Sequence, residues 1–169
     1  MDSADLLVDA FDRVRDVVAE VVEGLTPEQL SCRVDQGANS IAWLVWHLTR
    51  IQDDHVAEVA GIEQQWTAGG WYERFGLPFN RRATGFGHRP DDVAAVRVES
   101  GALLTDYHDA VHDQTVRHLG SLVESGLDRV VDRSWDPPVT LGTRLISVVS
   151  DDMQHAGQAA YVRGAVRRR

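Results

Sequence analysis

The sequence predicts an all-α protein built as an antiparallel four-helix bundle. Four long segments repeat apolar residues every three or four positions, which is the period of a helix that buries one face. Each segment starts near a residue that favours a helix N-cap, and glycine and proline fill the stretches between them. With 169 residues, 43% of them hydrophobic, the chain can bury a core as one domain. We expect that domain over residues 1–164 and a basic C-terminal tail over residues 165–169.

The four long helices are predicted over residues 3–23, 41–60, 100–122 and 140–164. Their candidate N-caps are Ser3, Asn39 or Ser40, Ser100 and Thr140. A short helix is predicted after Thr26, because Pro27 suits the first helical position. A short extended stretch is predicted at Val130-Val131. Four long helices in a domain of this size indicate a bundle.

The connection between the second and third long helices, residues 62–90, lacks helical periodicity and contains several glycines. A connection of this length in a compact domain is usually functional or forms a lid. Its aromatic residues are Trp66, Trp71, Tyr72, Phe75, Phe79 and Phe86. So many aromatic side chains predict that the connection packs over the rest of the protein and forms one wall of a site.

Charge and composition exclude several classes of protein. The net charge of −9 disfavours binding to the phosphate backbone of nucleic acids. No apolar run reaches the length of about 18 residues that a transmembrane helix needs, and the N-terminal residues are acidic where a signal peptide would be basic. A single cysteine, Cys32, excludes an internal disulfide framework and fits a reducing cytoplasm, where we expect the protein.

Two of the predicted helices carry acid or imidazole groups on otherwise apolar faces. His47 follows the apolar run that begins at Ile41, and His155 follows Asp151 by four residues and Asp152 by three. Both spacings place a carboxylate beside the imidazole, so spacing leaves the choice between the two acids open. Buried groups of this kind need a partner. Packed side by side, the two helices could supply three ligands to a divalent metal with an open coordination position.

Ordinary alternatives exist for these residues. A single histidine such as His47 on an apolar helix is more often a core residue with a hydrogen-bond partner, and an Asp–His pair four apart is more often a surface ion pair. His108 and His112 also lie four residues apart and form a rival motif by spacing. Their polar neighbours are Asp106, Asp109, Asp113 and Gln114. We therefore interpret the rival histidines as mostly exposed to solvent; His55 and His88 have no partner that the sequence identifies.

Three segments carry a resemblance to a known family. They are Asn39-Ser-Ile-Ala-Trp-Leu-Val-Trp-His47-Leu-Thr-Arg50, Thr84-Gly-Phe-Gly-His88, and Asp151-Asp-Met-Gln-His155-Ala-Gly-Gln158-Ala-Ala-Tyr-Val-Arg-Gly164. In this order they resemble the DinB/YfiT-like superfamily of small metal-binding four-helix bundles. The match is strongest to its actinobacterial branch, which resembles mycothiol-dependent maleylpyruvate isomerase and the mycothiol S-transferases.

The resemblance implies a ligand set and a chemistry. The ligands would be His47, Asp151 and His155, so that Asp151 is favoured over Asp152. Many members have histidine or glutamate at the position of Asp151, and the shorter aspartate side chain reaches less far. The expected metal is Zn²⁺ or Ni²⁺, and members are often homodimers. The expected partners are a small-molecule thiol and an electrophile, with no nucleic acid and no membrane.

The resulting expectation is a metal-dependent thiol transferase that activates a low-molecular-weight thiol, with mycothiol favoured, as a metal-bound thiolate. Asp54, seven residues after His47, is the candidate catalytic proton relay. Gln158 and Arg163 are candidates for substrate binding, although a role in holding the bundle together is favoured for both. The alternatives are a non-catalytic metal-binding or stress-associated bundle, an interaction domain that dimerises through a helix face, and a metal-dependent hydrolase that uses the same ligands.

Overall fold

The computed structural model describes residues 1–168, apart from the side chain of Glu124. Within that range the elements are α1 Ser3–Val22, α2 Pro27–Ser31, α3 Ile41–Ala60, α4 Gln65–Ala68, α5 Trp71–Phe75, α6 Pro90–Ala95, α7 Gly101–Leu119, a 3₁₀ turn Glu124–Asp128, β1 Val130–Asp132, β2 Val139–Thr140 and α8 Leu141–Val166. The two short strands pair antiparallel. The predicted all-α four-helix bundle is confirmed, with α1, α3, α7 and α8 as its long helices.

The helix starts follow the predicted capping residues in all but one case. The side chains of Ser40, Ser100 and Thr140 accept hydrogen bonds from backbone amides in the first turns of α3, α7 and α8. The prediction that Ser3 caps α1 is wrong, because Asp2 holds that position. The Asp2 carboxylate accepts from the amide of Asp5, and the Asp5 carboxylate accepts from the amide of Asp2. This reciprocal pair satisfies two amides and adds negative charge at the positive end of the helix.

In cross-section the long helices follow the order α1, α8, α3, α7 around the bundle. The guanidinium of Arg163 donates to the carbonyl of Val21, so the C-terminal ends of α8 and α1 meet and these two helices run in the same direction. Arg144, near the start of α8, pairs with Glu58 near the end of α3, so these neighbours run in opposite directions. Each long helix therefore has one antiparallel neighbour, and the long connection between α3 and α7 lets those two run parallel.

The connection between α3 and α7 is attached to the bundle by a buried polar cluster. Asp53 of α3 accepts hydrogen bonds from the backbone amides of Gln65 and Trp66 and from the hydroxyl of Tyr107. Arg50 lies 3.6 Å from the Asp53 carboxylate, and both side chains are fully buried. These bonds supply partners for backbone groups that would otherwise be buried without any. Trp66, Trp71 and Phe75 of the connection are buried, in agreement with the predicted packing, whereas Phe86 is 90% exposed.

The C-terminal residues continue the last helix further than expected. Residues 165 and 166 belong to α8, Arg167 is its C-cap, and Arg169 of the predicted tail lies outside the described residues. The extended stretch at Val130-Val131 is confirmed as part of β1. None of the described helices combines the length and the apolar character needed to cross a bilayer.

Candidate metal centre

His47 of α3 meets Asp151 and His155 of α8 at one point between the two helices. One ligand atom from each residue lies within 4.8 Å of the other two, and no other group of this kind occurs in the part of the chain that the structure describes. His155 Nε2 and Asp151 Oδ1 are 3.6 Å apart. Two ligands at about 2.1 Å from a tetrahedral ion lie about 3.4 Å from each other, so this pair already has nearly the required separation.

The orientation of His47 is determined by a backbone carbonyl. Its Nδ1 lies 2.6 Å from the carbonyl oxygen of Thr84, which can only accept, so Nδ1 carries the proton and Nε2 keeps its lone pair. Burial lowers the pKa of His47, and the bond to Thr84 partly opposes that shift. A neutral imidazole with one nitrogen bonded to a carbonyl oxygen is the usual arrangement of a histidine metal ligand.

His155 and Asp151 are arranged in a similar way. His155 Nδ1 lies 3.1 Å from the side-chain oxygen of Gln158, one turn further along α8, which leaves Nε2 free to face His47 and Asp151. Asp151 Oδ2 is buried and has no hydrogen-bond partner among the described residues. A buried carboxylate oxygen without a partner costs free energy unless a cation or a donor occupies the space beside it. The donor set and this unpaired oxygen both fit a divalent metal ion.

Asp152 does not belong to this group of ligand atoms. It is fully buried in the bundle, and its carboxylate oxygens have no hydrogen-bond partner in the described part of the chain. Burial raises the pKa of Asp152 well above its ordinary value, and the neighbouring Asp151 adds to that shift. The neutral form is therefore favoured. Of the two acids that spacing left open, Asp151 is the one whose carboxylate lies with the two imidazoles.

Aromatic residues form the remaining wall of the centre. Trp43 stacks on His47 with ring centroids 4.5 Å apart and meets the edge of His155 at 6.1 Å. The indole nitrogen of Trp43 donates to Nδ1 of His88 at 3.1 Å, which gives His88 the partner that the sequence did not identify. These ring contacts cover one side of the imidazoles.

Gly85 allows the backbone to come this close. Its φ is +94°, and a Cβ at this position would lie 2.7 Å from His47 Nδ1 and 3.0 Å from the ring of Trp46. Only glycine accommodates both the left-handed backbone and the short distance. The motif Thr84-Gly85 is thus the element that places a carbonyl against His47.

Two clefts open beside the centre, one at Asp151 and one at Gln158. The first, of about 500 Å³, includes Asp151 in its lining and runs between α3, α8 and the β1–β2 region. The second, of about 400 Å³, includes Gln158 and Tyr161 and lies toward the C-terminus of α8. The centre therefore has space for small molecules on both sides.

The remaining predicted site residues lie outside this group. Asp54 is two turns further along α3, about 10 Å along the helix axis from His47, and accepts a hydrogen bond from Gln64. Arg163 donates to the carbonyls of Val21 and Glu23 at the end of α1. Its contacts agree with the favoured interpretation that it holds the bundle together. Gln158 lies at the centre, where it orients His155.

The interpretation of His108 and His112 as mostly exposed is wrong, since both are buried. His108 follows Leu104 by four residues and therefore shares its buried stripe, a position that outweighs the acidic neighbours. His108 bonds to Thr49, and His112 bonds to Asp12 of α1. The two histidines join α7 to its neighbours, and they do not form a three-ligand group with any described acid or cysteine.

Sequence reasoning did not identify the residues that orient the ligands. Thr84 acts through its backbone, which has no signature in the sequence, and Trp43 resembles any core aromatic residue. The glycines of the Thr84-Gly-Phe-Gly segment were the available signal, because glycine within a loop rich in aromatic residues often marks a close backbone approach.

Comparison with protein families and with solved structures found matches over nearly the whole chain. The family model described as mycothiol S-transferase matches residues 6–168. Among solved structures, the crystal structure of a conserved protein from Enterococcus faecalis has a TM-score of 0.94 and 30% sequence identity, and the alignment covers 100% of this chain and 99% of that chain. No curated protein matches. The match over nearly the whole chain and the shared fold show that this protein belongs to the mycothiol S-transferase family, within the DinB/YfiT-like superfamily.

Proposed function

We propose that the protein is a metal-dependent S-transferase that joins a low-molecular-weight thiol, mycothiol in the first instance, to an electrophilic small molecule. The observation that carries the proposal is the convergence of His47, Asp151 and His155, whose ligand atoms lie within 4.8 Å of one another. The family membership supports a transferase that uses this thiol. Zn²⁺ and Ni²⁺ are the proposed metals, because two imidazoles and one carboxylate suit both.

The chain's own residues would hold the metal as follows. His47 and His155 offer Nε2, because each Nδ1 is held by an oxygen atom of Thr84 or Gln158. Asp151 offers its carboxylate, of which Oδ1 lies 3.6 Å from His155 Nε2 and Oδ2 has no partner in the described part of the chain. A divalent cation held there would favour thiolate over thiol, which would make a thiol sulfur nucleophilic at neutral pH. The stacked Trp43 covers one side of the His47 imidazole.

The transfer itself conserves atoms and charge. The thiol would give up its proton, and the sulfur electron pair would then form a bond to the electrophilic carbon. In a substitution, the leaving group departs with the electron pair of the broken bond. Asp54 is the proposed acceptor of the thiol proton. Because Asp54 is about 10 Å along the helix axis from His47, this role requires water molecules between them, and D54N tests it by the rate of thiol consumption at constant metal content.

The clefts favour an enzyme over the non-catalytic alternatives. A closed structural metal shell would need a fourth protein ligand, whereas the described residues supply a group of three next to a cleft of about 500 Å³. A hydrolase that uses the same ligands is the second candidate. The two are separated by their products, since only the transferase consumes the thiol. A cytoplasmic location and a homodimer stay predictions.

The proposal is tested by metal content and by thiol consumption. We expect about one Zn²⁺ or Ni²⁺ per chain after purification without chelator, and loss of that metal in H155A with the helical circular dichroism unchanged. H118A is the control, because His118 lies near the end of α7, away from the centre, and should keep the metal. A protein that binds no metal even after loading with either ion would refute the proposal.

The matching activity assay uses mycothiol with bacillithiol and glutathione as comparison thiols. We expect consumption of the first thiol with a generic electrophile by the metal-loaded protein, and none above background by H155A. Equal rates for the wild type and H155A would contradict the proposal even if metal is bound.

A further inference from the structure

Two large, exposed aromatic side chains line the cleft beside Asp151. Phe86 is 90% exposed and Trp135 is 67% exposed, and both line this cleft of about 500 Å³. Its apolar lining also includes Ile51, Val139 and Val148. Large aromatic side chains left in water are unfavourable unless a ligand or partner covers them. Because the same cleft reaches a proposed metal ligand, the covering molecule would lie next to the reactive sulfur.

The charged groups of the cleft neutralise one another. Arg144 is only 15% exposed at its side chain, and its guanidinium contacts Glu58 at 3.0 Å and Asp132 at 3.3 Å. A third contact, 3.0 Å from the same guanidinium, is to Nδ1 of His55. Two carboxylates thus balance this single cation, and the charge of Asp151 at the inner end would be offset by the metal ion that it is proposed to hold. An anionic ligand would meet no unpaired cation among the described lining residues. A neutral ligand, in contrast, would lose little hydration free energy on leaving water.

We infer that this cleft binds the electrophile, and that the electrophile is a neutral, flat, aromatic molecule held between Phe86 and Trp135. This inference rests on the proposed function and names the substrate class of the same site. In the reaction, the sulfur electron pair would form a bond to a ring carbon that carries a halide, and the halide would leave with the electron pair of the carbon–halogen bond. A dianionic substrate, such as the maleylpyruvate of the related isomerases, does not suit this cleft.

Binding is measured with unreactive probes, so that it does not depend on turnover. Isothermal titration of the zinc-loaded full-length protein would compare neutral 1,3-dinitrobenzene with anionic 3-nitrobenzenesulfonate. We expect the neutral probe to bind at least about tenfold more tightly, and F86A and W135A each to weaken it by about twofold to tenfold, the range of one aromatic contact. Y161A is the matched control, because Tyr161 is an exposed aromatic residue of the other cleft.

A second variant tests the charge argument. D132N removes one of the two carboxylates that balance Arg144, so it should narrow the preference for the neutral probe by several-fold. Non-specific adhesion of an aromatic probe would not respond to this change. Any one of three results would overturn the inference. The first is an unchanged preference of D132N for the neutral probe, and the second is weaker binding of that probe to Y161A but not to W135A. The third is tighter binding of the sulfonate than of the neutral probe to the wild type.

The outcome is separable from that of the proposed function. Metal content and thiol consumption are measured on the same preparations. If the probe binds as expected but no thiol is consumed, the cleft assignment stands and the transferase proposal fails. If thiol is consumed but the probe binding ignores Phe86 and Trp135, the transferase proposal stands and the cleft assignment fails.

Discussion

At the scale of single residues, the centre depends on one backbone carbonyl. The carbonyl of Thr84 selects the tautomer of His47 that leaves Nε2 free, and Gly85 allows the approach. Groups that orient a ligand commonly change metal affinity as much as many direct contacts do. A ligand set read from a sequence therefore omits the groups that would orient those ligands.

A methyl group at Gly85 should displace the segment from His47. In G85A the new Cβ would lie 2.7 Å from Nδ1, so we expect metal affinity to fall by about tenfold to hundredfold. G87A is the control, since Gly87 also has a left-handed φ of +76° but no described atom within 4 Å of its Cβ position. The G87A variant should lose only about 1–2 kcal/mol of unfolding free energy, which is what a left-handed backbone costs a residue with a Cβ atom. Competition with a chromophoric chelator gives the metal affinities; equal affinities in the two variants would show that the short approach has no role.

Burial lowers the pKa of His108 to about 3, with a smaller contribution from His112. In the unfolded chain the same group titrates near its ordinary value of 6.5, so between these pH values the unfolded state binds more protons. Stability should therefore fall as the pH drops below 6.5 and continue to fall toward pH 3. At pH 5 the loss from this group reaches at most about 2 kcal/mol.

The measurement is urea unfolding of the wild type and H108Q at pH 7 and pH 5, with a chelator present to remove metal. The wild type should lose more unfolding free energy than the variant between the two pH values. Identical losses would mean that His108 carries its proton in the folded state.

At the scale of elements, the connection between α3 and α7 has the largest influence on the candidate metal centre, because it carries the carbonyl that contacts His47. It contains the short helices α4 and α5. One turn of α3 holds it at two points: Arg50 donates to the carbonyl of Ala83, and His47 contacts the carbonyl of Thr84. Asp53 secures the other end through the amides at the start of α4. A single helix face thus positions both the ligand and the segment that orients it.

Replacing Asp53 should loosen this connection. D53N leaves the buried guanidinium of Arg50 without a charged partner, so we expect a loss of about 3 kcal/mol in unfolding free energy. The adjacent D54N is a matched control for stability, because Asp54 is only half-buried and an amide oxygen can still accept from Gln64. Its loss should stay below about 1 kcal/mol. Urea unfolding of both variants at pH 7 provides the comparison, and a loss in D53N no larger than in D54N would contradict the anchoring role.

At the scale of the whole molecule, α8 has both a functional face and an exposed apolar face. Ile146 and Met153 are 59% and 42% exposed, and their spacing of seven residues makes them an apolar stripe on one side of the helix. This stripe is the surface through which we propose that the homodimer forms.

Sedimentation of the wild type should give twice the mass of one chain at micromolar concentration, and M153E should shift the protein toward the single chain. V123E adds the same charge at an exposed apolar position outside α8 and should leave the dimer intact. A single-chain mass for the wild type at all concentrations would exclude the dimer, and equal effects of the two variants would exclude this face.

The amino-acid sequence determined the helices and most of their caps, because these are recorded in local spacing. Apolar residues every three or four positions identify buried faces, Thr140 and either Asn39 or Ser40 mark helix starts, and the spacing places an acid beside His155. The wrong prediction of Ser3 as the N-cap of α1 also concerns neighbouring residues only, because the residue before it, Asp2, holds that position.

Only the tertiary structure decided what those faces meet. The burial of His108 and His112, the choice of Asp151 over Asp152 by position, the Thr84 carbonyl on His47 and the neutralised Arg144 all depend on segments far apart in the chain. The physical reason is that spacing along one helix gives the direction of a side chain but not the identity of the group opposite. That identity, and with it the ionisation state and the orientation of each ligand, is set when the helices pack.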